Sequence, residues 1–130
     1  MPLEPATLTF DCADPVRVAT FWAEALGYEL DAADSDATGA YIADPSGRTQ
    51  GMYFQPVPEP KTAKNRLHLD VRPTTSMAAE VERLKGLGAT ERGFIDVETS
   101  FWMQMRDPEG NEFCVLRGPE DGWSPGEVLA

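Results

Sequence analysis

The residues able to do chemistry are few, and they fall on short alternating segments. His68 is the only histidine in the chain. It sits in Arg66-Leu67-His68-Leu69-Asp70-Val71, where polar and apolar side chains alternate. Successive side chains on a strand point to opposite faces, so Arg66, His68 and Asp70 share one face. Leu67, Leu69 and Val71 take the other, toward a helix layer. An imidazole beside a carboxylate can accept, hold and return a proton near neutral pH. It can equally be a polar residue satisfied by its neighbour, or a metal ligand; the sequence leaves all three open. Nearby acids favour the charged imidazole, and burial the neutral one; the acids are expected to win.

The same alternation sorts the other strand candidates. Thr7, Thr9 and Asp11 share a face opposite Leu8, Phe10 and Cys12. Tyr53 and Gln55 stand opposite Met52 and Phe54, and Glu112, Cys114 and Leu116 opposite Phe113 and Val115. Trp102, Gln104 and Arg106 form a further set. Gathered on one concave face, these side chains make a mixed polar and aromatic lining suited to a small molecule. Arg66 and Arg106 would hold a carboxylate or phosphate there. Cys114 is either a small apolar filler or, paired with His68, a nucleophile. Cys12 points to the opposite face and cannot partner it. With no CxxC spacing, two free thiols are expected.

The chain must position these groups with one ordinary domain of 130 residues. Hydrophobic residues are 42% and charged residues 25%, the balance of a globular protein. No apolar run approaches the ~20 residues of a membrane span. MPLEPATLTF has neither a basic nor an apolar signal region, so a cytoplasmic address is expected. Eleven basic residues against 22 acidic ones give 11 − 22 = −11. That charge argues against nucleic acid and anionic membranes as partners.

Strand one, Leu8–Cys12, leads to Asp14-Pro15, an N-cap oxygen followed by a proline suited to the first helical position. Val18, Phe21, Trp22, Ala25 and Leu26 follow at helical spacing, and Gly27 ends the run. Strands are predicted at Tyr28–Asp31, Gly39–Ala43 and Gly51–Val57, with Asp44-Pro45-Ser46-Gly47 as a turn. Pro56, Pro58 and Pro60 mark an extended linker. Beyond it the order repeats. A strand at Arg66–Val71 leads to a helix capped by Thr75 or Ser76, with Met77, Val81, Leu84 and Leu87 as its stripe and Gly88 as its end. Strands then follow at Thr90–Val97, Phe101–Arg106 and Glu112–Arg117, the last preceded by Asp107-Pro108-Glu109-Gly110. The reading is one α+β domain of two βαβββ modules forming a curved mixed sheet around a cup. Module one spans about 6–57, the linker 56–64, module two about 65–118 and a tail 119–130.

This duplication, the Leu-Gly helix ends and Asp107-Pro108-Glu109-Gly110-Asn111 resemble the vicinal oxygen chelate superfamily of glyoxalases, extradiol dioxygenases and bleomycin resistance proteins. Asp11-Cys12-Ala13-Asp14-Pro15, Phe21-Trp22 and His68-Leu69-Asp70 look most like its small glyoxalase-like members. The resemblance implies a divalent metal held by four side chains of the cup, usually His or Gln, Glu, His and Glu. His68 lies 88 − 68 = 20 residues before Gly88, at the position of one such ligand. The other positions carry Thr7 or Thr9, Gln55 and Cys114, a set poor in carboxylates. No cofactor is therefore expected, or at most a weakly held metal.

The resulting expectation is a glyoxalase-like enzyme of lyase or isomerase type with His68 as acid and base, working as a homodimer on a small molecule. The alternative is a binding protein of the bleomycin-sequestering kind, whose aromatics and acids, Asp11, Asp70 and Glu112, clasp a cation. A structural or interaction module would follow if side chains filled the cup.

Overall fold

The structure, a computed structural model, describes residues 1–127. The chain divides after Thr62, within the predicted linker, into two compact units. Each unit is one βαβββ module with its own mixed four-stranded sheet, and the class is α+β.

In the first unit, β1 (Thr7–Cys12) is followed by α1 (Pro15–Leu26), β2 (Glu29–Leu30), β3 (Ala40–Ala43) and β4 (Gly51–Pro56). The order across the sheet is β1-β4-β3-β2, with β1 parallel to β4 and the other pairs antiparallel. The parallel pair is what requires α1, since two parallel strands need a crossover. Asp14 caps α1 by accepting the Arg17 backbone N–H at 3.3 Å, and Gly27 closes it at φ 70°. The apolar face of α1 packs on the sheet through an aromatic cluster. Phe10 lies 6.2 Å from Trp22 and 5.5 Å from Phe54 between ring centroids, and Phe21 meets Trp22 edge-on. Trp22, Phe54, Ile42 and Met52 are fully buried, each contributing about 1.5–3 kcal/mol of apolar burial.

The second unit repeats the plan with β5 (Leu69–Val71), α2 (Met77–Leu87), β6 (Thr90–Val97), β7 (Ser100–Arg106) and β8 (Glu112–Val115). Its sheet order is β5-β8-β7-β6, again with the first pair parallel. Met77, Val81 and Leu84 of α2 are buried with Met105, Phe113 and Val115 of the sheet. The cap is Ser76, whose hydroxyl accepts the Ala79 N–H at 3.1 Å.

The repeat extends to the atoms of the turns. Asp44 and Asp107 each accept the backbone N–H two residues on, from Ser46 and Glu109, at 2.8 Å. Each also offers its carbonyl to a glycine N–H, Gly47 at 3.0 Å and Gly110 at 2.9 Å. Both glycines have positive φ, which the turn demands and a side chain resists.

Two strand ends near the site differ from the sequence reading. β5 starts at Leu69 rather than Arg66, because Glu112 uses its side chain to hold the chain ahead of it. The Asn65 N–H donates to Glu112 Oε1 at 2.9 Å, and the Asn65 amide donates to Asn111 Oδ1 at 2.9 Å. Leu67 consequently lies outside the strand and is 79% exposed instead of packing under the helix. β8 stops at Val115, two residues short. After it, Gly118 leads into a 3-10 turn at Pro119–Asp121, which folds back on α2. Asp121 Oδ2 accepts the Met77 N–H at 2.7 Å and the Gly118 N–H at 2.9 Å, a second cap on the same helix. Within the expected tail, residues 128–130 lie outside the described residues. Among those described, no helix is long and apolar enough to cross a membrane.

Candidate functional site

The second sheet sets three polar side chains in one row. In the register of β5, β8 and β7, Asp70 stands opposite Cys114, and Cys114 opposite Gln104. Like-facing neighbours on adjacent strands are close enough to interact. Burial, then the charge of Asp70 and a hydrogen bond to it, push the Cys114 thiol up to about 11; Lys64 and Arg92 pull weakly the other way. At neutral pH the thiol is protonated and donates to the carboxylate. His68, one residue ahead of β5, approaches the same carboxylate, with Nδ1 3.2 Å from Asp70 Oδ1. Asp70 is thus the shared acceptor of a thiol and an imidazole. At the far end of the row, Arg92 Nη1 donates to Gln104 Oε1 at 2.7 Å.

This row opens onto a cavity of about 700 Å³ built from the second unit. Val97, Trp102 and Leu116 give it apolar lining, and His68, Asp70, Gln104 and Cys114 its polar row. Thr99, Ser100, Arg117 and Glu127 complete it. The volume is that of a site for a drug-sized or smaller molecule. It is open space, so side chains do not fill it.

Of the residues placed on the pocket face from sequence, His68, Asp70, Trp102, Gln104, Cys114 and Leu116 meet around this cavity. Glu112 does not line it. Its carboxylate turns to the Asn65 backbone, and the residue is buried. Arg66 falls in the turn before β5, and Arg106 at the end of β7 opposite Glu112 and Thr90; both are exposed and neither lines the cavity. The arginine that does is Arg117. Strict alternation would have put Arg117 with Phe113 and Val115 under the helix, but β8 has ended and the rule no longer applies. Nothing in the sequence pointed to Glu127. Thr9, Asp11, Tyr53 and Gln55 lie in the first unit, where Thr9 pairs with Tyr53 and Asp11 with Gln55 on one face of that sheet. Thr7 belongs to the same face and pairs with Gly51.

The resemblance read from the sequence implies a divalent metal, and the donors can be tested for it. Ligand atoms of His68, Asp70 and Cys114 lie within 4.8 Å of one another. Asp70, absent from the set inferred by position, is the oxygen donor among them. One imidazole, one carboxylate and one thiol do not fit a hard ion such as manganese or magnesium, which requires several oxygens. Thr7 and Gln55 add no charge to that account.

A family model described as a glyoxalase-like domain matches residues 7–116, most of the chain. None of the curated proteins matches the sequence. Solved structures share the fold at low identity. A glyoxalase/bleomycin resistance protein/dioxygenase family enzyme from Burkholderia phytofirmans PsJN superposes with TM-score 0.67 at 14% identity, covering 85% of this chain and 94% of that one. The fosfomycin resistance protein FosX from Listeria monocytogenes, solved with Mn(II) and dihydroxypropylphosphonic acid, gives 0.70 at 14%, covering 91% and 92%. The bleomycin-binding protein of Streptomyces verticillus, complexed with copper(II)-bleomycin, gives 0.58 at 16%, covering 91% and 98%.

Proposed function

Since the chain belongs to the glyoxalase-like domain family, we propose that it is a small-molecule enzyme of lyase or isomerase type, with its reaction centre in the second-unit cavity. The observation that carries this is the contact of His68 Nδ1 with Asp70 at the cavity. A carboxylate on Nδ1 fixes the tautomer and orientation of the ring and leaves Nε2 for a substrate proton. The imidazole takes a proton from a carbon beside a carbonyl, holds it, and returns it to a neighbouring atom. Such a step is redox-neutral and needs no second reactant. Cys114 serves as a polar wall, since a thiol pushed up to about 11 is a poor nucleophile at pH 7. The protein works without a resident metal.

Metabolite capture on the purified chain, read by mass spectrometry, supplies the substrate. With it, His68→Gln should lower kcat by about 10²–10⁴-fold. Unchanged turnover in that variant would end the enzyme reading. Sequestration of a cation is the second reading, favoured by Trp102 and Asp70 at the cavity. It loses Glu112 to Asn65.

The working form is a homodimer in the cytoplasm. Supporting the dimer, β6 stands at the end of its sheet order and carries exposed Phe94 and Val97, the kind of edge that a second chain covers. Light scattering at 14.3 kDa over a concentration series would remove the dimer.

A further inference from the structure

One arginine lines the cavity and a second stands beside it, in a chain of net charge −11. Arg117 lines the cavity, and its side chain is only 11% exposed. Arg72 donates Nη1 to the Arg117 carbonyl at 2.8 Å and lies 4.0 Å over the Trp123 ring. Burial and the charge of Arg117 both lower the Arg72 guanidinium, so two cations are held close together. The group that answers them comes from the tail. Glu127 Oε2 accepts from Arg117 Nη2 at 2.5 Å, and Oε1 accepts the Ser124 N–H at 3.0 Å. Glu127 also lines the cavity. Its carboxylate is drawn below the ordinary range by the Ser124 N–H first and by Arg117 second.

We propose that Arg117 is the anion subsite of this cavity, that Glu127 occupies it in place of a ligand's acid group, and that the ligand is a small carboxylate with an aromatic or apolar body. The inference rests on the small-molecule reading above and names its substrate class. Arginine presents a planar fork that matches a carboxylate, and a carboxylate is the partner seen on it. The body would lie on Trp102, Leu116 and Val97. Asp70 repels a second anion, so the acid end goes to Arg117 and the reacting atoms to the His68 side. Ligand binding then requires Glu127 to leave, and the tail sets the affinity through the fraction of time Arg117 is open. Gly126, at φ 107°, provides a backbone joint directly before Glu127.

The test uses the full-length chain, 2-naphthoate and its neutral isostere 2-naphthamide, with NMR titration following cavity signals. Glu127→Gln should tighten naphthoate binding about tenfold by removing the competing charge, and should leave naphthamide unchanged. A chain ended after Pro125 should behave the same way. Arg117→Gln should bind both probes alike, and Arg117→Lys should keep only part of the preference. Equal binding of both probes by the parent and by Glu127→Gln would overturn the anion subsite while sparing the cavity as a small-molecule site. Shifts confined to residues outside the cavity would overturn both.

Discussion

Asp70 and Cys114 face each other across the parallel pair β5 and β8, and the protonated thiol donates a hydrogen bond to the carboxylate. The same carboxylate takes the imidazole of His68. One acid therefore restrains a nucleophile and aims a base. Burial is the larger cause of the thiol's rise to about 11, with Asp70 second. Alkylation of Cys114 should accordingly be slow at pH 8 and quicken as pH climbs toward 11. Asp70→Asn removes the charge but not the burial, so reaction at pH 9 should speed up several-fold and stay below that of a free thiol. Mass mapping separates Cys114 from buried Cys12. A rate that Asp70→Asn leaves alone would mean that the carboxylate does not help keep the thiol protonated.

The donor set leads to a statement about metal. With a single carboxylate among the gathered donors His68, Asp70 and Cys114, the purified chain should carry far less than one divalent ion per molecule. Elemental analysis checks this directly. About one zinc, nickel, manganese or iron per chain, lost in His68→Ala, would refute it.

The acid side of the pH range should be felt in the first unit. Asp44 is held down to about 2, chiefly by the Ser46 hydroxyl and then the Ser46 N–H. A carboxylate depressed in the folded chain contributes stability that is present above its unfolded value near 3.8 and fades as pH falls through about 2. Asp44→Asn should flatten the loss of melting temperature between pH 4 and pH 2 and change little at pH 7. An unchanged acid slope would show that the turn's hydrogen bonds do not persist in solution.

What the sequence disclosed and what it hid have a common physical origin. Local rules found the caps: Asp14 with Pro15, Ser76, and the glycines at 27 and 88 act through bonds within a few residues. Period-two alternation found the faces wherever a strand was real, which is why Asp70, Cys114, Gln104 and Trp102 came together. Beyond the strand ends it held for some residues and not for others: His68 and Leu116 still line the cavity, whereas Leu67 is exposed and Arg66 lies away from the cavity. Glu112 failed for another reason, because its partner Asn65 is 47 positions away and no local pattern carries that bond. Glu127 reaches Arg117 through a turn whose path depends on Asp121 finding α2.

Asp121 makes that dependence measurable. Its Oδ2 accepts two backbone N–H groups, from Met77 and Gly118, at a helix end where donors otherwise go unmet. Asp121→Ala should cost about 1–2 kcal/mol of stability in denaturant melts. It should also loosen the path to Glu127. Asp121→Asn keeps an acceptor and should recover part of the loss. Equal stability of parent and Asp121→Ala would show that the tail is not anchored there.

The final prediction concerns His68, on which the enzyme reading turns. It is the only histidine, so every imidazole signal in the chain belongs to it. Its Nδ1 lies against Asp70, the carboxylate that also accepts from the Cys114 thiol. An imidazole exchanges protons with its surroundings, and a ligand taken up in this cavity should bind with an affinity that depends on pH. His68→Gln keeps a polar side chain of similar reach while removing the titration, so the fold should survive and the profile should flatten. A merely structural histidine would lose stability on substitution and leave the ligand's pH profile in place. That outcome, with the profile of His68→Gln superposing on the parent's, would remove proton transfer from the cavity and leave Arg117 as the residue that defines what it binds.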